Sequence, residues 1–223
     1  MKKYKVNDIF YSLQGEGRNT GRAAVFVRFA GCNLRCAFCD TAFDSYTEMT
    51  GEEIIEKVSS LHSSPLTPPF GGAEGWGAFS PPFGGAGGGF IVLTGGEPTL
   101  QVDEAFVDLL HSHGYEVAME SNGTRPAPRN LDWLTVSPKN GDACKVKGGG
   151  RLPDEIKIVF DEDTDPESFL LLEGQGEALL YLQPCDTGDA ERNRRIVAAC
   201  VDYIKHHPQW RLSLQTHKLI GID

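Results

Sequence analysis

Residues Ala24–Thr41 read A-V-F-V-R-F-A-G-C-N-L-R-C-A-F-C-D-T: an apolar strand, Ala24–Ala30, delivered directly into Cys32, Cys36 and Cys39 in a C-x3-C-x2-C spacing. Four-iron clusters are held by one thiolate per iron. A compact loop supplying three thiols therefore leaves one iron without a protein ligand, much as a catalytic zinc site keeps an open position. S-adenosylmethionine carries an amino group and a carboxylate that chelate such an iron, which sets its sulfonium beside the cluster, placed to accept an electron. A structural zinc site with a distant fourth ligand is the competing reading, because soft thiolates suit zinc too. Zinc ribbons pair two C-x2-C knuckles, however, and no second one exists in this sequence.

Upstream of the cysteines, Arg28 interrupts the strand V-F-V-R-F. A buried guanidinium needs an anion or hydrogen bonds, so a carboxylate-bearing ligand and an internal salt bridge are both open readings. Downstream, Thr41 follows Cys39-Asp40. Its hydroxyl suits a hard cation such as Mg2+ and equally a helix cap; from the residues alone the cap is preferred. Near the N-terminus, L-Q-G-E-G at Leu13–Gly17 combines two glycines, which permit close backbone approach, with an amide and a carboxylate that suit a heterocycle's edge. Alone, it also reads as an ordinary polar turn.

Length and composition set the frame. The 223 residues are enough for one substantial core, and a single domain spanning 1–223 is expected. The start, M-K-K-Y-K-V-N-D-I-F, lacks an apolar leader, and no run approaches a membrane span, so a soluble cytoplasmic protein is expected, with reduced thiols. A net charge of −10 disfavours direct contact with a phosphate backbone. Cys144, Cys185 and Cys200 share no ligand spacing and read as small core or loop residues.

Helical and strand periodicities then alternate. Thr50–Leu61 is predicted as a helix, with Thr50 and Glu53 forming a capping box and Ile54, Ile55, Val58 and Leu61 one apolar face. Pro65–Gly89 is Gly- and Pro-rich and repeats P-P-F-G-G-A at Pro68–Ala73 and Pro81–Ala86; it reads as a flexible insertion, with a lid as the sharper alternative. From Phe90, short apolar strands lead into polar motifs: F-I-V-L-T into G-G-E-P, V-A-M-E into S-N-G-T, W-L-T-V into S-P-K, A-L-L-Y-L into Q-P-C-D. E-I-K-I-V-F and W-R-L-S-L-Q are further strands, and helices are predicted over Val102–His113, Pro166–Leu172 and Asp189–His206, the last with Ile196, Val197, Cys200, Val201 and Ile204 on one stripe. Such alternation predicts βα units and a parallel sheet, whose active site lies at the strand C-terminal ends. Thr94, Glu97, Glu120, Asn122, Ser137, Lys139, Gln183 and Gln215 all fall there. In T-G-G-E-P, the Glu97 carboxylate is the expected acceptor for the ammonium of S-adenosylmethionine. Ser137-Pro138-Lys139 and Gln183-Pro184-Cys185-Asp186 each read alone as strand-to-helix turns.

The cysteine loop, with Phe38 before the third cysteine, resembles that of the radical S-adenosylmethionine enzymes. Taken with L-Q-G-E-G, C-D-T, T-G-G-E-P, E-S-N-G-T, S-P-K, L-Q-P and H-K-L-I-G-I, the chain resembles the 7-carboxy-7-deazaguanine synthase family of queuosine and deazapurine biosynthesis. The resemblance covers nearly the whole chain except Pro65–Gly89. It implies an α/β fold, an incomplete, modified TIM-like barrel with about six parallel strands, working as a homodimer. It also implies a lyase that uses a [4Fe-4S] cluster, S-adenosylmethionine and Mg2+ to convert 6-carboxy-5,6,7,8-tetrahydropterin to 7-carboxy-7-deazaguanine, with hydrogen abstraction at C6, ring contraction and loss of ammonia.

By the same resemblance, Cys32, Cys36 and Cys39 hold the cluster and Thr41 the Mg2+. Phe38, Cys39, Asp40, Gly96, Ser137, Pro138, Lys139, Gln183, Pro184, Cys185 and Asp186 bind S-adenosylmethionine. Leu13, Gln14, Gly15, Arg28, Thr94 and the terminal carboxylate of Asp223 meet the pterin, and a flavodoxin or ferredoxin supplies electrons. A small radical activase acting on a protein partner and a non-catalytic zinc-binding interaction module are the alternatives.

Overall fold

The computed structural model describes residues 2–39, 45–62, 89–139, 151–169 and 177–222. One sheet of nine strands organises it, in the order β3-β1-β2-β4-β5-β6-β7-β8-β9. The strands are β1 Lys3–Leu13, β2 Ala23–Phe29, β3 Thr47–Thr50, β4 Phe90–Gly95, β5 Glu116–Ser121, β6 Trp133–Val136, β7 Glu155–Phe160, β8 Leu179–Pro184 and β9 Trp210–Leu212. β1 runs antiparallel to both β2 and β3. From β2 through β4 to β9 all pairs are parallel, giving seven parallel strands where about six were expected. β9 is the short one; W-R-L-S-L-Q pairs as a strand only over Trp210–Leu212, and Ser213 adds one backbone bond to Leu182 (2.9 Å). Among the described residues β3 and β9 are unpaired edges, so the barrel is incomplete.

Helices α1 Gly51–His62, α2 Glu104–Ser112 and α3 Ala190–His206 cover one face of this sheet. The capping box forms: the Thr50 N–H donates to Glu53 (2.7 Å), and the Glu53 N–H donates to Thr50 Oγ1 (3.2 Å). Asp103 and Asp189 cap α2 and α3 one way, their carboxylates accepting from first-turn N–H groups. On α3, Ile196 and Cys200 are buried and Ile204 packs beside them, but Val197 is exposed. The buried stripe on α3 is thus narrower than that on α1, where the adjacent Ile54 and Ile55 are both buried. The expected helix at Pro166–Leu172 is a 3-10 turn over Pro166–Phe169, with its remainder outside the described residues.

Strand alternation decides what faces the helices and what faces inward. On β2, Val25, Val27 and Phe29 join the helix-side core, while Phe26 and Arg28 line an interior cavity. On β7, Ile156, Ile158 and Phe160 are core, and Glu155, Lys157 and Val159 take the other side. The inner face is apolar low in the sheet, where Ala24, Phe90, Val92 and Ala118 pack together. Above that layer it turns polar around a cavity of about 1240 Å3.

Candidate active site

The cysteine loop leaves β2 through Gly31, whose φ of +87° reverses the chain. It is held from one side by the turn after β4: the Gly96 N–H donates to Phe29 O (3.0 Å) and the Glu97 N–H to Gly31 O (2.9 Å). Here the two glycines of T-G-G-E-P have a steric reason. A Cβ on Gly95 would fall 2.2 Å from the Phe29 carbonyl oxygen, and one on Gly96 2.0 Å from that of Gly31. From the other side, Asn122 donates to Asn33 Oδ1 (3.0 Å) and reaches Cys32 Sγ (3.9 Å), while Asn33 donates to Thr124 Oγ1 (2.8 Å). Gly96→Ala is therefore expected to push the Gly31–Cys32 backbone outward. The cost is about 1–3 kcal/mol, as for other overpacked sites, read as a lower denaturation midpoint and a lower iron content after anaerobic reconstitution.

Glu97 departs from its expected role. Its carboxylate is fully buried and turned inward, accepting from Thr99 N–H and Oγ1 (3.1 and 2.6 Å), Ser121 Oγ (2.8 Å) and the Asn122 N–H (2.7 Å). Buried and absent from the cavity lining, the side chain does not face the space that a ligand ammonium would enter. It instead ties the turn after β4 to the end of β5, beneath the cysteine loop.

Cys32 and Cys36 are half-buried and Cys39 exposed, and all three line the cavity. The Cys39 N–H donates to Cys36 O (3.2 Å). Burial pushes the Cys36 thiol up; Lys139 opposes this, and Cys39 and Cys32 add to the rise. Thiolates crowded in this way are relieved by a cationic metal core, which deprotonates its ligands on binding, so the donor set fits an iron–sulfur cluster. Among the described residues no three His, Cys, Asp or Glu side chains converge closely enough to hold a single metal ion; a cluster instead takes one thiolate on each of several irons. Lys139 donates to Ser137 Oγ (2.7 Å) and lies 5.8 Å from the centre of the Phe38 ring, joining S-P-K to the cysteine loop. Ser137, Lys139 and Phe38 line the cavity; Pro138, between two of them, does not.

The floor is built from the opposite end of the barrel. Leu13 pairs with Ala23 at the start of β2, and Arg18 N–H meets Glu155 at the start of β7 (2.9 Å), so Gln14–Gly17 crosses beneath β4, β5 and β6. This loop also joins the segment after β9: Thr216 N–H and Oγ1 donate to Gly15 O (3.0 and 2.9 Å), and Gly17 N–H donates to Ser213 Oγ (3.0 Å). A Cβ on Gly15 would fall 2.1 Å from His217 Nδ1, so the glycine lets the His217 side chain pack against the loop.

Inside the floor Lys157, with 3% of its side chain exposed, donates to Glu16 (2.5 Å) and to Glu120 (2.8 Å). Glu120 also accepts from Gln14 (2.9 Å), and Glu16 from Gln183 (3.2 Å) and Gln215 (3.1 Å). Burial alone pushes Glu16 up, but the Lys157 charge and hydrogen bond, aided by Gln215 and His217, overcome it and hold the carboxyl at about 2. Burial pulls the Lys157 ammonium down, and Glu120 and Glu16 more than reverse this.

Arg28 stands on the wall, between Asp8 of β1 and Thr94 of β4 in register. Its guanidinium lies 5.1 Å from the centre of the Phe10 ring, and among the described residues it makes no ion pair. Thus Leu13, Gln14, Gly15, Arg28, Thr94, Gly96, Gln183, Pro184, Cys185 and Asp186 share one cavity with the cysteines. Asp186 accepts from Lys218 (3.0 Å) on α4, Thr216–Ile220, drawing the C-terminal segment to the rim. Asp40, Thr41 and Asp223 lie outside the described residues.

No family model matches the chain. A 7-carboxy-7-deazaguanine synthase of Bacteroides thetaiotaomicron is 44% identical over 218 residues, covering 98% of each chain. The synthases of Nitratidesulfovibrio vulgaris and Bradyrhizobium diazoefficiens are 42% and 40% identical, each over 98% of this chain and 99% of the relative. The crystal structure of QueE from Escherichia coli superposes with a TM-score of 0.66 at 25% identity, covering 95% of this chain and 93% of that one. Near-complete coverage at such identities, with the cysteine triplet, T-G-G-E-P turn and L-Q-G-E-G floor meeting in one cavity, places the chain in the 7-carboxy-7-deazaguanine synthase family.

Proposed function

We propose that this chain is a radical S-adenosylmethionine lyase that converts 6-carboxy-5,6,7,8-tetrahydropterin to 7-carboxy-7-deazaguanine with loss of ammonia. The observation that carries the reading is the polarity of the cavity. Arg28, without an ion pair among the described residues, supplies a cation on one wall, while on the floor two carboxylates, Glu16 and Glu120, share Lys157 and turn hydrogen-bond acceptors to the cavity. A carboxypterin has the complementary polarity: a carboxylate at one end and the N–H donors of an aminopyrimidinone at the other.

Arg28 binds the carboxylate, with Thr94 beside it in register. Gln14, Gly15 and Leu13 contact the ring from below, and each Glu120 oxygen, with one hydrogen bond already made, keeps acceptor capacity for pyrimidine donors. Cys32, Cys36 and Cys39 would hold the cluster, and Phe38, Asp40, Gly96, Ser137–Lys139 and Gln183–Asp186 would flank S-adenosylmethionine, with Pro138 acting by fixing the backbone. When bound, this pair supplies the carbon-centred radical that removes hydrogen from the pterin. The protein's part is position, charge complement and exclusion of water.

Thr41, in C-D-T, would ligate Mg2+, and the Asp223 carboxylate would reach the pterin. Both assignments rest on family membership. The same ground supports a homodimer in the cytoplasm, reduced by a flavodoxin or ferredoxin, with 1–223 as one catalytic domain; the reading of 65–89 as an inserted loop rests on its Gly- and Pro-rich composition. Among the described residues no helix is long and apolar enough to cross a membrane.

Anaerobic incubation with carboxypterin, S-adenosylmethionine and reductant tests the proposal: the deazaguanine product is expected. Cleavage of S-adenosylmethionine without consumption of the pterin would point instead to a radical activase. Arg28→Ala is expected to raise KM for the carboxypterin about a hundredfold, in the range for removing one partner of a buried charge pair. Cleavage of S-adenosylmethionine without substrate should be retained. An unchanged KM would reject Arg28 as the carboxylate's partner.

A further inference from the structure

One buried titratable group has no part in the scheme above. Glu155 opens β7 with only 2% of its surface exposed, and it does not line the cavity. Its Oε2 accepts the Arg18 N–H (2.9 Å), and Gly17, at φ +63°, passes so close that a Cβ would fall 1.9 Å from Oε1. The floor loop therefore rests on this carboxyl group. Its register partners, Thr135 on β6 and Leu179 on β8, carry no charge. The charges that face it are Glu120 from β5, Lys157 from β7 and Glu16 from the loop, two carboxylates against one ammonium. Arg18 does not neutralise it, since its guanidinium stacks on Trp133 (4.8 Å).

We propose that Glu155 is a positioning residue for the pterin site: as an uncharged carboxylic acid it clamps the Gly17–Arg18 turn onto β7, and its ionisation releases that turn and the placement of Gln14 and Glu16. The link to the pterin rests on the function proposed above; the clamp does not. Burial pushes the Glu155 carboxyl up, the Arg18 N–H opposes this, Glu120 adds to the rise, Lys157 opposes and Glu16 adds, leaving it at about 7. In the released turn the group meets water with an ordinary carboxyl pKa near about 4.3. Because the clamped value is the higher one, the clamp is at full strength below the ordinary value and is lost as pH rises through about 7. From about pH 6 to about pH 8.5 the released fraction should grow about tenfold.

Hydrogen exchange across residues 14–20, corrected for intrinsic rates, reads this directly in the anaerobically reconstituted protein. Wild type is expected to show the rise, and Glu155→Gln, which keeps an acceptor for Arg18 but cannot ionise, a flat profile. A flat wild-type profile, or a rise in Glu155→Gln equal to that of wild type, overturns the clamp. Saturating carboxypterin without reductant should slow this exchange in wild type, because the pterin binds the clamped turn only; exchange that bound pterin leaves unmoved overturns the positioning role. If neither protein turns over carboxypterin, the function proposed above fails, while the exchange profiles still decide Glu155.

Discussion

Cys36→Ala, reconstituted anaerobically with iron and sulfide, is expected to form no 5′-deoxyadenosine above the no-enzyme background. The expectation follows from ligand count. With three thiolates for a four-iron cluster, the protein has no spare ligand, and the described residues near Cys36 offer no replacement thiol, since Cys185 sits across the cavity on the β8 strand end. The main-chain bond from the Cys39 N–H to the Cys36 carbonyl is kept in the variant, so the loss is that of the thiolate alone. The fold should survive: Cys36 belongs to none of the three hydrophobic clusters. Circular dichroism and unfolding midpoint near wild type, with iron content strongly reduced, would complete the expected picture. Retained cleavage activity with a full complement of iron would sink the cluster assignment, and a colourless wild-type protein containing zinc alone would favour the zinc-binding reading.

Much of this architecture is legible in the sequence because it is local. The capping box at Thr50 and Glu53 and the strands from Phe90 onward follow from periodicities and short-range hydrogen bonds. What was not legible is set by chain closure. Nothing near Leu13–Gly17 tells that this loop enters from the strand N-terminal end, because its partners, Lys157, Ser213 and Gln215, lie far away in sequence. Glu97 misled for a related reason: its donors Ser121 and Asn122 belong to another strand end, and they hold it away from the cavity. Lys157 did leave a signal. In E-I-K-I-V-F the charges alternate with isoleucines, so Glu155 and Lys157 share the face opposite the helix-side core, a pattern a strand buried among helices would not carry.

Lys157→Met should therefore have the largest effect of any single change outside the cysteines, and its size should depend on pH. The substitution keeps an apolar stem of similar length but strands Glu16 and Glu120 without their shared cation. Breaking a buried ion pair by removing one partner costs about 3–5 kcal/mol. In wild type Glu16 is held at about 2, so its contribution is present above the ordinary carboxyl pKa and fades only as pH falls toward that low value. In Lys157→Met the order reverses. Two carboxylates facing each other with no ammonium between them are each pushed up, so the variant's cost is greatest at high pH and shrinks as one of them takes a proton. Chemical denaturation at about pH 8 and about pH 5 should then show a wider gap from wild type at the higher pH. Adding Glu16→Gln should recover part of the loss, because the amide keeps most of the shape while removing one of the two opposed charges. Turnover should not recover in that double variant, since the Glu16 carboxylate is gone and Glu120 is no longer aimed by Lys157. Equal stability of wild type and Lys157→Met at about pH 8 would mean that the floor's carboxylates are not held by this lysine, and the polarity argument for the carboxypterin would lose its negative end.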